Sequence, residues 1–112
     1  MRRMSFSKTI RAYCDHTKTV TRRASWWDVK VGEILIGAEK TMGLRRGEKM
    51  IVLGQHRVLS VRRERLDAVT AQDVIQEGFP NMSRDEFIEM FCRCMKCTPE
   101  TIINRIEFEY VE

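Results

Sequence analysis

The residues best equipped for chemistry in this chain crowd into one octet, His16-Thr17-Lys18-Thr19-Val20-Thr21-Arg22-Arg23, with Trp26-Trp27 close behind. Hydroxyls, an amine and two guanidiniums beside a pair of indoles make the mouth of a ligand site, since guanidiniums fork onto phosphate and stack on bases. Lys18 and Thr21 are three residues apart, so a straight strand would send them to opposite faces. They converge only where the chain bends between them, and a helix-to-strand junction supplies such a bend. Without it, residues 19–21 are a solvent-edge strand carrying ordinary surface charges. Adjacent tryptophans in an extended segment cannot both enter one core, so one packs while the other is free for a surface or a pocket rim.

What holds the octet must come from its flanks. Residues 5–8 read as a short first strand, and Ile10, Tyr13 and Cys14 at helical spacing predict one or two helical turns over residues 10–16. After Gly32, residues 33–39 read as a strand with Gly37 placed where something approaches closely. Residues 42–47, with Gly43 and Gly47 around Arg45-Arg46, form a turn that projects both arginines into solvent. Residues 49–53 and 57–63 are strands, or one long strand bent at Gly54. Thr70 with Asp73 three residues on begins a short helix that Gly78 and Pro80 stop. Ser83 and Glu86 form a capping box ahead of Phe87, Met90, Phe91 and Cys94, which share one helical face. The tail alternates Ile106, Phe108 and Tyr110 with Arg105, Glu107 and Glu109, a closing strand with one buried face. A sheet this small with helices inserted at its ends closes most economically into a barrel, so the expected class is α+β, mainly β.

At 112 residues the chain is expected to be a single domain, 1–112, and 43% apolar with 32% charged residues is the balance of a folded globular protein. No run approaches the length that spans a bilayer, so a cytoplasmic protein with four reduced thiols and no membrane partner is expected. Residues 1–65 hold 16 Lys and Arg against 6 Asp and Glu, whereas residues 66–112 hold 4 against 10. The first stretch is the candidate anion-binding surface, or else it is neutralised by the acidic second stretch. Arginine outnumbers lysine 14 to 6 and comes in pairs, which suits nucleic acid.

Other constellations carry less. Cys92 and Cys94 lie about 200° apart on a helix and cannot grip one ion, while Cys94 is expected on the packed face. Met82, Met90 and Met95 read as core filler. Gly43-Leu44-Arg45-Arg46-Gly47 lacks the lysine and hydroxyl that end a phosphate-binding loop. Neither His16 nor His56 has a visible triad partner, and no metal or cofactor is expected.

The octet resembles the motif of the ASCH superfamily, which runs glycine, any, lysine, any, any, threonine, any, arginine. Lys18, Thr21 and Arg23 match, while His16 stands in the glycine position. Histidine is among the residues enriched at positive φ, so it is compatible with the turn. The segments Trp26-Trp27, Val31-Gly32-Glu33, Gln76-Glu77-Gly78-Phe79 and Ile106-Glu107-Phe108 extend the resemblance over nearly the whole chain. It implies a small PUA-like barrel with inserted short helices, and a basic cleft facing RNA or a nucleotide-like ligand.

Taken together with the arginine pairs of the basic first stretch, that cleft would bring Lys18, Arg22, Arg23, Trp26, Trp27, Arg45 and Arg46 to nucleic acid. The similarity to bacterial acetylcytidine amidohydrolases implies a second role, in which Thr21 is the nucleophile, Lys18 its base and Glu77 a proton relay. A threonine hydroxyl needs a base to take its proton, and a desolvated lysine can be one. Glu77 is also expected near a helix C-terminus, where the macrodipole disfavours a carboxylate by about 0.3–1 kcal/mol. A ribonuclease using the same cleft is the third possibility.

Overall fold

The computed structural model describes all residues, 1–112. Along the chain run β1 (Arg3–Ser5), α1 (Ile10–Cys14), β2 (Val20–Arg23), β3 (Ile34–Ala38), β4 (Val52–Arg65), a 3₁₀ turn (Leu66–Ala68), α2 (Ala71–Gln76), α3 (Arg84–Met95) and β5 (Ile102–Val111). The strands form one five-stranded mixed sheet in the order β1-β3-β4-β5-β2, with β1 parallel to β3 and every other pair antiparallel. The fold is therefore α+β and mainly β.

The first strand begins and ends earlier than its residues predict, because Ser7 and Lys8 turn to launch α1 instead of extending β1. The two middle strands are one 14-residue strand, β4. Gly54 sits within it, and the ladder to β3 slips beside its partner Gly37. A side chain at Gly37 would land on the Tyr13 ring, which explains the glycine expected at a close approach. Both capping boxes form, Thr70 with Asp73 at α2 and Ser83 with Glu86 at α3.

The sheet curls, but no ladder joins its two ends. β1 and β2 remain edge strands, bridged by a side chain: the Arg23 guanidinium donates through Nη2 to the Ser5 carbonyl at 2.7 Å. Closure by an arginine leaves an opening that a backbone ladder would have sealed. One core, built on Met4, Phe6, Tyr13, Leu35, Val58, Ile106 and Phe108, fills the concave face. A second, with Leu66, Val74, Phe87, Phe91 and Ile103, lies under α2 and α3. Ile103 and Ile106 serve different cores because odd and even residues of β5 face opposite ways. No helix is long and apolar enough to cross a membrane.

A cavity at the free edge of strand β2

Two sheet faces meet at the free edge of β2, and a cavity of about 320 Å³ opens there. Lys18, Thr21, Arg23, Trp26 and Glu77 all line it, with Phe6 on one side and Phe79, Phe87, Met90, Phe91 and Met95 on the other. Lys18 and Thr21 do reach one space: Lys18 lies in the junction between α1 and β2, and Thr21 lies within the strand. The turn that feeds β2 is held at His16, whose φ of 61° is the left-handed value expected of a glycine position. Its ring stacks on Tyr110 at 4.0 Å and 11°, and the Tyr110 hydroxyl donates to the Lys18 carbonyl at 2.5 Å.

That arrangement separates two effects at one residue. His16→Ala keeps the left-handed backbone and loses the stacking, so a loss of about 1–2 kcal/mol is expected in urea unfolding. His16→Gly loses the same stacking but relieves the backbone, so it should lie within about 0.5 kcal/mol of the wild type. Equal losses for both variants would refute the strain.

Glu77 caps the C-terminus of α2 and is brought 59 residues back to Lys18. The Lys18 Nζ donates to the Glu77 carbonyl oxygen at 2.6 Å and to Oε1 at 3.1 Å, and both side chains are almost fully buried. Burial lowers the Lys18 pKa; the Glu77 carboxylate opposes the shift, and Arg23 and Arg22 add to it. Thr21, 3% exposed, accepts a hydrogen bond at Oγ1 from Arg23 Nε at 3.0 Å. Lys18 makes its side-chain bonds to Glu77 and none to Thr21. Arg23 lies over the Phe6 ring at 5.0 Å, and burial lowers its pKa to about 10, which leaves it charged at neutral pH.

Arg22 also borders the cavity, but its guanidinium is taken up elsewhere. Its guanidinium, on the opposite face from Arg23, is wholly inaccessible and cannot meet a bound phosphate. It donates to Glu77 Oε2 at 3.0 Å and to Glu64 Oε1 at 2.9 Å, and pairs with Asp73 at 3.2 Å. Arg105 reaches the same Asp73 at 3.4 Å. Arg105 is thus buried and ion-paired, although the alternation of β5 puts it among the polar, outward residues. The residue string shows Asp73 as a helix cap and Arg105 as an outward strand residue, but not the ion pairs that join them to Arg22 and Glu64, because a buried pair has no signature there.

Trp26 lines the cavity, but Trp27 does not: it is 42% exposed beneath Arg63. Arg45 and Arg46 are exposed in the β3–β4 loop and take no part in the lining. The face of α3 read from helical spacing is partly cavity wall, with Phe87 and Phe91 buried. Cys94 is exposed at its rim instead of packed. A helical stripe records which residues share a direction, not whether core or cavity lies there.

No protein-family model matches the chain, and no curated protein matches it. Among solved structures it is similar to a protein from Enterococcus faecalis assigned to the DUF984 family, with a TM-score of 0.64 at 17% identity. That match covers 99% of this chain and 76% of the other. It is also similar to an ASCH domain from Lactobacillus crispatus, with a TM-score of 0.59 at 12% identity over 91% of this chain and 69% of that one. The fold is ASCH-like.

Proposed function

We propose that this ASCH-like fold uses the β2-edge cavity to bind a single nucleoside-sized ligand. Its base would lie against Trp26 and the phenylalanines, and its polar substituents would reach Lys18, Thr21 and Glu77. The observation that carries this reading is the convergence of those three side chains with Arg23 on one aromatic-walled space of about 320 Å³. That volume is at the small end for ligand pockets, right for one nucleoside and far too small for a duplex. The sealed guanidinium of Arg22, and Arg45, Arg46 and Trp27 outside the lining, argue for a pocket over a broad basic cleft.

Calorimetric titration with cytidine tests it. Lys18→Ala should weaken binding at least tenfold, and Arg45→Ala should leave it unchanged. Equal affinity in Lys18→Ala and wild type would sink the proposal.

One observation favours hydrolysis as a second reading: a buried lysine with a lowered pKa sits against a carboxylate. Once deprotonated, the amine keeps two N–H bonds for the two Glu77 oxygens and has a lone pair to spare. Thr21 Oγ would attack the carbonyl of an N-acylated cytosine while Lys18 takes its proton, and Arg23 would stabilise the oxygen it already contacts. The C–N bond would break as Lys18 returns the proton to the leaving amine. Water, deprotonated by Lys18, would then release the carboxylic acid and restore Thr21.

A further inference from the structure

Trp26 has a φ of 65°, a left-handed value that is rare for a bulky aromatic and costs energy wherever it is held. What holds it is Asn104, which is 1% exposed and donates through Nδ2 to the Trp26 carbonyl at 2.8 Å. This bend splays the two tryptophans: Trp26 becomes cavity wall, and Trp27 is carried outside it.

Asn104 also stands at the middle of a row across three strands. It pairs with Arg23 of β2 on one side and with Arg63 of β4 on the other, so all three side chains project from the same face. Arg23 lines the cavity. Arg63, two strand spacings or about 10 Å away, carries its guanidinium to 5.0 Å above the Trp27 ring.

The charge on Arg63 is unlike that of its neighbours. On β4, Arg57 pairs with Glu109, Arg62 with Glu64 and Arg65 with Asp67. Arg2, over Trp26, is held by both Asp28 and Glu33. Arg63 has no carboxylate within ion-pairing distance, is exposed, and already lies over an aromatic ring. A cation in that state has a free face for a base and no internal anion to displace before it meets a phosphate.

Resting on the reading of the cavity as a nucleoside site, we propose that Trp27 and Arg63 form a second subsite. It takes the adjoining nucleotide of a single-stranded polynucleotide whose neighbouring base occupies the cavity. The linking phosphate meets the Arg63 guanidinium and the second base stacks on the Arg63–Trp27 pair. The protein therefore prefers a nucleoside within a strand to a free one.

Calorimetric titrations of wild type, Trp27→Ala and Arg63→Gln with cytidine, a cytidine-containing dinucleotide and a short single-stranded RNA decide this. Both substitutions are at exposed positions, and thermal melting checks that each variant is folded. In the wild type the dinucleotide should bind about 5- to 150-fold more tightly than cytidine. Either substitution should remove most of that advantage and leave cytidine affinity unchanged. Arg63→Gln should also reduce the slope of log affinity against log salt by about 0.7 for the RNA. Equal affinity for cytidine and dinucleotide in the wild type would overturn the second subsite and leave the cavity standing. So would a Trp27→Ala variant that weakens cytidine as much as dinucleotide. Absence of binding by all three ligands would overturn both.

Discussion

Replacing Arg22 by alanine is expected to destabilise the protein by about 3–5 kcal/mol, measured by urea unfolding at neutral pH. The substitution leaves Glu77, Asp73 and Glu64 around a space from which their shared cation has gone. Two of the three are close to fully buried, so water cannot take the place of the guanidinium at low cost. Arg22→Lys should fall between the two, because an ammonium keeps the charge but cannot fork to carboxylates on β4 and α2 at once.

The effect should depend on pH in a definite direction. Burial pushes the Asp73 carboxyl up, but the Thr70 amide, Arg22, the Thr70 hydroxyl and Arg105 more than offset it, so its pKa is lowered. A carboxylate with a depressed folded pKa stabilises the protein above its unfolded pKa, and that contribution is lost as the pH falls through the folded value. Without Arg22 the depression shrinks. The gap between wild type and Arg22→Ala is therefore widest near neutrality and narrows below about pH 4. A gap under 1 kcal/mol at neutral pH would mean that the network contributes little to stability. A gap that is flat with pH would mean that the loss is one of packing rather than charge.

Thr21→Ala and Lys18→Ala are the substitutions expected to move activity most. With an N-acylated cytidine as substrate and chromatographic detection of cytidine, Thr21→Ala should lose turnover to the background rate. Lys18→Ala, which removes the base, should lower it by about 10²–10⁴-fold. The wild-type rate should rise with pH through the folded pKa of Lys18, since only the free amine takes the threonine proton. Burial puts that inflection below the ordinary lysine value of 10.5. Cytidine binding without deacylation by the wild type would restrict the cavity to recognition and remove the hydrolytic reading.

The motif was legible because its members lie within eight residues, and the left-handed turn at His16 could be anticipated from the glycine position it fills. Both capping boxes and the glycine at a close approach were also readable, and one strand running through Gly54 was one of the two readings open. Each depends on neighbours in sequence or on one residue's backbone freedom. The same local reading gave Arg22 and Arg23 one role, although consecutive strand residues face opposite ways. Both border the cavity, but the Arg22 guanidinium is sealed among carboxylates from β4 and α2.

Residue order by itself determined the class of fold, the helix starts and which side chains could do chemistry. It also placed Glu77 at a helix end, where α2 in fact stops. Tertiary structure alone decided that β2 is an edge, that an arginine bridges it to β1, and that α3 turns part of its apolar face to a cavity. It alone separated Trp26 from Trp27 and left Arg63 without an anion. Caps, turns and alternation are set by interactions over a few residues, whereas edges, cavities and buried ion pairs depend on which distant segments arrive together. Lys18 meets Glu77 across 59 residues because of the topology that connects them.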